Sequence, residues 1–120
     1  SGRTYHNLLR PAFADGYTYA GQPILISEYG GIAFQNEQIG WGYGNKVKTP
    51  EEFMQRYEGI TEAVAELPYV CGYCYTQLTD VQQEINGLLN ENRKCKTDLK
   101  EIGTINEKRF QSKMKEVPCE

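Results

Sequence analysis

The segment Pro23-Ile24-Leu25-Ile26-Ser27-Glu28-Tyr29-Gly30-Gly31 constrains this chain most: an apolar run ends on a carboxylate and breaks at once on two glycines. Three consecutive large aliphatic residues suit a strand covered on both faces, as in parallel sheets, and an ionisable group in such a run belongs where the strand leaves the core. Period-two alternation puts Ile24, Ile26 and Glu28 on one face and Leu25 and Ser27 on the other. The run reads as a buried strand over about 23 to 28 that delivers Glu28 to a pocket. The plainer alternative is a strand-end glutamate that is merely solvated.

Downstream, Gly30 to Asn45 reads as a long Gly-rich and aromatic loop containing Gly40-Trp41-Gly42-Tyr43-Gly44. Thr49-Pro50-Glu51-Glu52 then starts a helix, because Thr can cap, Pro suits the first helical position and Glu52 completes a capping box. Phe53, Tyr57, Ile60, Val64 and Leu67 recur at spacings of four and three and form one apolar stripe, which Pro68 stops. An aromatic strand follows over about 69 to 77. Strand, crossover helix and strand make a parallel unit whose connection should be right-handed. A turn is expected at Asn86-Gly87 and a last helix from Thr97 or Asp98, with Leu99, Ile102, Ile105 and Phe110 on one face and a solvated tail through Lys113, Lys115 and Glu120. The first 22 residues show no sustained period and read as a connecting segment, a loop or a short helix around Tyr5 to Leu9.

With 120 residues, 39% hydrophobic and 24% charged, the chain is expected to form one soluble domain or part of one. A net charge of -3 argues against a nucleic-acid partner, which needs clustered Lys and Arg. No apolar stretch approaches the roughly 18 residues of a membrane span, and Ser1-Gly2-Arg3-Thr4 contains no signal-peptide apolar region. No membrane association, metal or cofactor is expected. Cys71 and Cys74 invite a thiol-redox reading, yet in a strand residues three apart point to opposite faces, and the one histidine, His6, is distant in sequence. Structural thiols are the favoured reading.

The residues then resemble the end of the catalytic domain of glycoside hydrolase family 2, which includes β-galactosidases, β-glucuronidases and β-mannosidases. Ile26-Ser27-Glu28-Tyr29-Gly30 is similar to that family's seventh-strand signature, in which the Glu is the catalytic nucleophile. Gly72-Tyr73-Cys74-Tyr75-Thr76-Gln77-Leu78-Thr79-Asp80 resembles its eighth strand and following loop. Asn86-Gly87-Leu88-Leu89 with Asn92-Arg93-Lys94-Cys95-Lys96 resembles the segment leading into its last helix, where the family often has Arg-Lys-Pro-Lys. The resemblance runs from about 23 to 106 in the expected order. It implies an α/β fold, a partial (β/α)8 TIM barrel comprising roughly the seventh and eighth strand-helix units, with residues 23–120 as the C-terminal portion of the catalytic domain. A complete barrel takes about 250 residues.

The implied chemistry is that of a retaining β-glycosidase with Glu28 as nucleophile. A second carboxylic acid about 5–5.5 Å away would protonate the leaving oxygen. Glu28 should then sit among hydrogen-bond donors rather than hydrocarbon. In the family the acid follows an Asn on the fourth strand, which would lie upstream of Ser1. Asn36-Glu37 has the right letters but follows no apolar strand and reads as a solvated loop pair. Trp41 could offer a sugar ring a flat apolar face, with Tyr43 a weaker candidate. Gln77 and Asp80 could bond substrate hydroxyls, or else orient their loop. The family often has a Trp near Thr76 that is absent here, which bears on the floor of the sugar subsite. One departure bears on substrate: the Asn-x-Lys that binds a uronic acid in glucuronidases is replaced by Glu84-Ile85-Asn86. A neutral sugar such as a β-galactoside is therefore the expected substrate. The chain is expected to be inactive by itself and to self-associate or require the rest of the parent barrel. The rival reading is a non-catalytic carbohydrate-binding or interaction module. Because strand geometry separates the two thiols, mild oxidation should leave Cys71 and Cys74 unbridged; a mass loss of two hydrogens on the peptide carrying both would contradict this.

Overall fold

The computed structural model describes residues 13–34 and 40–116. The readings for residues 5–9, His6, Asn36-Glu37 and Glu120, and for the side chains of Phe110, Lys113 and Lys115, lie outside this description. Four strands and two helices follow in the order β1 (Ile24–Gly30), β2 (Ile32–Phe34), β3 (Tyr43–Val47), α1 (Pro50–Ala65), β4 (Val70–Thr76) and α2 (Leu99–Glu116). β1 pairs in parallel with β4, and β2 in parallel with β3, giving two separate two-stranded sheets.

The expected strand-helix-strand unit is present, since β1 and β4 are parallel and α1 lies between them in the chain. The expected partial TIM barrel is not. The described residues form two short parallel sheets and two helices, with no run of neighbouring strands that could curve toward closure. The physical reason lies in the segment read as a loop. Ile32, Ala33 and Phe34 are too apolar to stay in solvent; they form β2 with exposures of 2%, 0% and 4%, and pair with β3 in place of extending the first sheet. The expectation that β1 is covered on both faces also fails, because Leu25 keeps 66% of its surface exposed.

α1 begins as its sequence dictates. The Thr49 hydroxyl accepts the Glu52 N–H at 3.1 Å, Pro50 occupies the first turn, and Glu52 reaches back to accept the Lys48 N–H at 2.8 Å. Its buried residues are Phe53, Tyr57, Thr61 and Ala65, a strict spacing of four. Ile60 and Val64, expected in the stripe, flank it half-buried. Thr61 replaces them at the centre because its hydroxyl finds a partner in the Tyr29 hydroxyl at 2.8 Å, so a polar side chain is buried without cost.

The core gathers Ile32 and Phe34 of β2, Val47 of β3, Phe53 and Tyr57 of α1, and Ile102 and Ile105 of α2. α2 is capped by Asp98, whose carboxylate accepts the Lys100 N–H at 2.8 Å. Leu99, expected on its apolar face, is instead 39% exposed. The helix is clamped to α1 by the Tyr57 hydroxyl donating to Asn106 Oδ1 at 2.9 Å and by the Arg109–Glu62 ion pair at 2.8 Å. Cys71, Cys74 and Cys95 are free and exposed, so they do not fill a core in this chain. No helix of the described residues is long and apolar enough to cross a membrane.

Phe53 is fully buried between the Phe34 and Tyr57 rings, 5.8 and 6.3 Å away between centroids. Phe53→Ala is expected to lower unfolding stability by about 3–5 kcal/mol, read from the midpoint of urea denaturation followed by circular dichroism.

Candidate functional site around Glu28

Glu28 owes its direction to an irregularity in β1. Ile26 pairs with Tyr73 and Tyr29 with Tyr75, so β1 carries one more residue than β4 across that interval. Strict alternation would have put Glu28 on the covered side with Ile24 and Ile26. The extra residue resets the phase: Ser27 and Glu28 are both exposed, and Tyr29 takes the covered position. Bulges of this kind re-aim side chains and recur next to active sites. Tyr29 is then held by Thr61 and by edge contacts with the Tyr73 and Tyr75 rings at 5.6 and 5.7 Å.

A cleft of about 310 Å³ opens at this point, lined by Glu28, Tyr29, Gly30, Gly31, Tyr43 and Thr76. Its floor requires both glycines. Gly30 and Gly31 have φ of +94° and +65°, and a Cβ on either would overlap an aromatic ring, that of Tyr75 at Gly30 and that of Tyr43 at Gly31. The Gly31 N–H donates to Thr76 O at 2.9 Å, which ties the exit of β1 to the end of β4. The Tyr43 N–H donates to Gly31 O at 2.7 Å and fastens the start of β3 to the same place.

Tyr75 occupies the inner side of this junction. Its hydroxyl accepts the Ile32 N–H at 3.2 Å and donates to Asn86 O at 3.1 Å. Burial pushes the Tyr29 and Tyr75 phenols well above the usual tyrosine range, so both stay neutral across physiological pH.

The four residues singled out in the sequence are placed differently from one another. Glu28 lines the cleft. Trp41 stands next to it: the residue is 49% exposed and its ring meets that of the cleft residue Tyr43 edge-on at 6.2 Å, while its backbone exchanges hydrogen bonds with Gln83 and Ile85. Gln77 directly follows the cleft residue Thr76, and its Nε2 is buried without a partner among the described residues. Asp80 is not brought to the cleft lining. It is 5% exposed, and its Oδ1 accepts from the Gly87 N–H at 2.8 Å and from Lys96 Nζ at 2.6 Å, an arrangement that orients the loop.

Lys96 also donates to Ile85 O at 3.0 Å. Burial pulls its ammonium below the ordinary lysine range, and the Asp80 carboxylate opposes that shift. Lys96 as the partner of Asp80 and the cleft residue Thr76 carry no role in the sequence reading, whereas Tyr43, its weaker ring candidate, lines the cleft. A signal for the rings existed, since two successive glycines after a buried strand call for something packed against their backbone. Among the described residues lining the cleft, Glu28 is the one carboxylate, and the other side chains are uncharged hydroxyl-bearing groups. The described residues contain no group of three His, Cys, Asp or Glu side chains able to hold a metal ion. No protein-family model matches the chain, and no curated protein matches it either.

Removing one member of a buried ion pair strands the other. Lys96→Met is expected to cost about 3 kcal/mol or more in unfolding stability, measured by chemical denaturation. The double variant Asp80→Asn with Lys96→Met should recover part of that loss, because an amide oxygen still accepts the Gly87 N–H and no buried charge is left unpaired.

Proposed function

We propose that this chain carries the nucleophile side of a retaining β-glycosidase site, with Glu28 as the nucleophile and a neutral sugar such as a β-galactoside as substrate. The observation that carries this reading is the bulge in β1, which turns Glu28 out of the covered face and into a cleft with Tyr43 and Thr76. The resemblance of the segments around Glu28, Thr76 and Asn86 to glycoside hydrolase family 2 supports it independently of the geometry.

In such a reaction the Glu28 carboxylate attacks the anomeric carbon, the glycosidic C–O bond breaks, and the leaving oxygen takes a proton from a general acid. Glu28 is exposed and not enclosed in hydrocarbon, which suits a carboxylate that must act as an anion. The acid is not among the described residues lining the cleft, and the proposal assigns it to a carboxylate outside these 120 residues. Trp41 and Tyr43 provide apolar ring surface at the mouth, suited to the C–H face of a pyranose. Gln77, whose Nε2 is buried and which lies outside the described cleft lining, is not assigned to the sugar. Asp80, with its oxygen engaged by Gly87 and Lys96, is assigned to holding the loop and not to the sugar. The described residues of the lining contain no cation, which favours a neutral sugar over a uronic acid.

A second reading, a module that binds carbohydrate without cleaving it, is favoured by the exposed rings of Trp41 and Tyr43 beside a solitary carboxylate. One reagent separates the two. A 2,4-dinitrophenyl 2-deoxy-2-fluoro-β-galactoside has a leaving group that departs without protonation, so a nucleophile alone suffices for the first step. The expected result is a covalent sugar on the peptide containing Glu28, found by mass spectrometry and lost in Glu28→Gln, with no turnover of an ordinary phenyl β-galactoside. Saturable sugar binding with no label on Glu28 would instead establish the binding-module reading.

A further inference from the structure

We infer that Tyr75 is a positioning residue for Glu28, acting through the backbone of Gly30 to Ile32 and coupling that backbone to the loop after β4. The inference rests on Glu28 being the nucleophile. The chain leaves Glu28 through Tyr29, Gly30, Gly31 and Ile32, and Tyr75 meets this exit at three points. Its ring stands edge-on to Tyr29 at 5.7 Å. The same ring fills the space that a Cβ on Gly30 would take. Its hydroxyl accepts the Ile32 N–H at 3.2 Å.

The proton of that hydroxyl goes to Asn86 O at 3.1 Å. One oxygen atom therefore fastens the exit of β1 to the loop that Asp80 and Lys96 organise. Glu28 sits within a bulge, where the regular ladder is interrupted, so its direction depends on what fixes the residues on either side. On the C-terminal side the fixing group is Tyr75, whose ring is in turn held edge-on by Tyr57 and Phe53 at 5.2 and 6.4 Å. Tyr75 is asked for no proton transfer in this role.

The test is the rate of covalent labelling of Glu28 by the same 2,4-dinitrophenyl 2-deoxy-2-fluoro-β-galactoside, measured against reagent concentration in the wild-type chain and in Tyr75→Phe. The variant keeps the ring over Gly30 and loses both hydroxyl bonds. The saturating labelling rate is expected to fall about tenfold through misplacement of the carboxylate, with the half-saturating concentration unchanged within about twofold. A merely structural role would leave the saturating rate of the folded fraction untouched. An equal saturating rate in the two proteins overturns the inference and leaves the nucleophile assignment standing. A wild-type chain that takes no label overturns both. Should Tyr75→Phe fail to fold, amide hydrogen exchange in the wild-type chain decides: a protected Ile32 N–H supports the inference, and exchange as fast as an exposed amide overturns it.

Discussion

The contact on which the rest of this structure depends is the Tyr75 ring laid against the backbone of Gly30. Three elements converge there. The end of β1 supplies a backbone stripped of Cβ, β4 supplies the ring, and α1 supplies Phe53 and Tyr57 as its walls. An aromatic ring contributes a large buried area but demands that its polar end be satisfied. The Tyr75 hydroxyl meets that demand by answering two backbone groups at once, an N–H from β2 and a carbonyl from the loop after β4. The site is thus a by-product of how a small core closes over its own strand ends.

The loop between β4 and α2 achieves order by different means. It has little regular structure, only isolated bridges such as Thr79 to Leu89 and Leu89 to Cys95. Its centre is polar: Asp80, Lys96 and Asn86 are buried and engaged with Gly87, Ile85 and Glu84. A buried charge pair contributes little net stability once its desolvation is counted, but its geometry is demanding, which favours one loop conformation over others. Apolar residues share this task only in part: Ile85 is buried and Leu88 packs against the core, whereas Leu78 and Val81 point outward with 65% and 56% of their surface exposed.

The legible parts of this chain were those written in local patterns. Thr49-Pro50-Glu51-Glu52 specified the start of α1, and the aromatic run over 70–76 specified β4, because capping and short-range periodicity depend on neighbours in sequence. The parallel pairing of β1 with β4 followed from the helix between them. The misreadings have a common origin in contacts between distant residues. The bulge that moves Glu28 to the exposed side arises from register with β4 and leaves no trace in Ile26-Ser27-Glu28-Tyr29 itself. The second sheet was hidden because Ile32-Ala33-Phe34 is too short to show a period. A partial TIM barrel was expected from resemblance, and the sheets actually formed are set by where Phe34 and Val47 find apolar cover. For Asp80 the sequence left a substrate contact and a loop-orienting role both open, because its partner Lys96 lies sixteen residues away.

The pairing of Ile24 with Val70 has a consequence for how the carboxylate comes into being. α1 can nucleate from its own cap and stripe, but β1 meets β4 only after the intervening chain has been drawn into a closed loop. The entropy of that closure must be offset before any strand-to-strand bond repays it. Since the turn of Glu28 exists only in register with β4, its direction belongs to a connection between segments far apart in the chain, and it is lost when that connection opens.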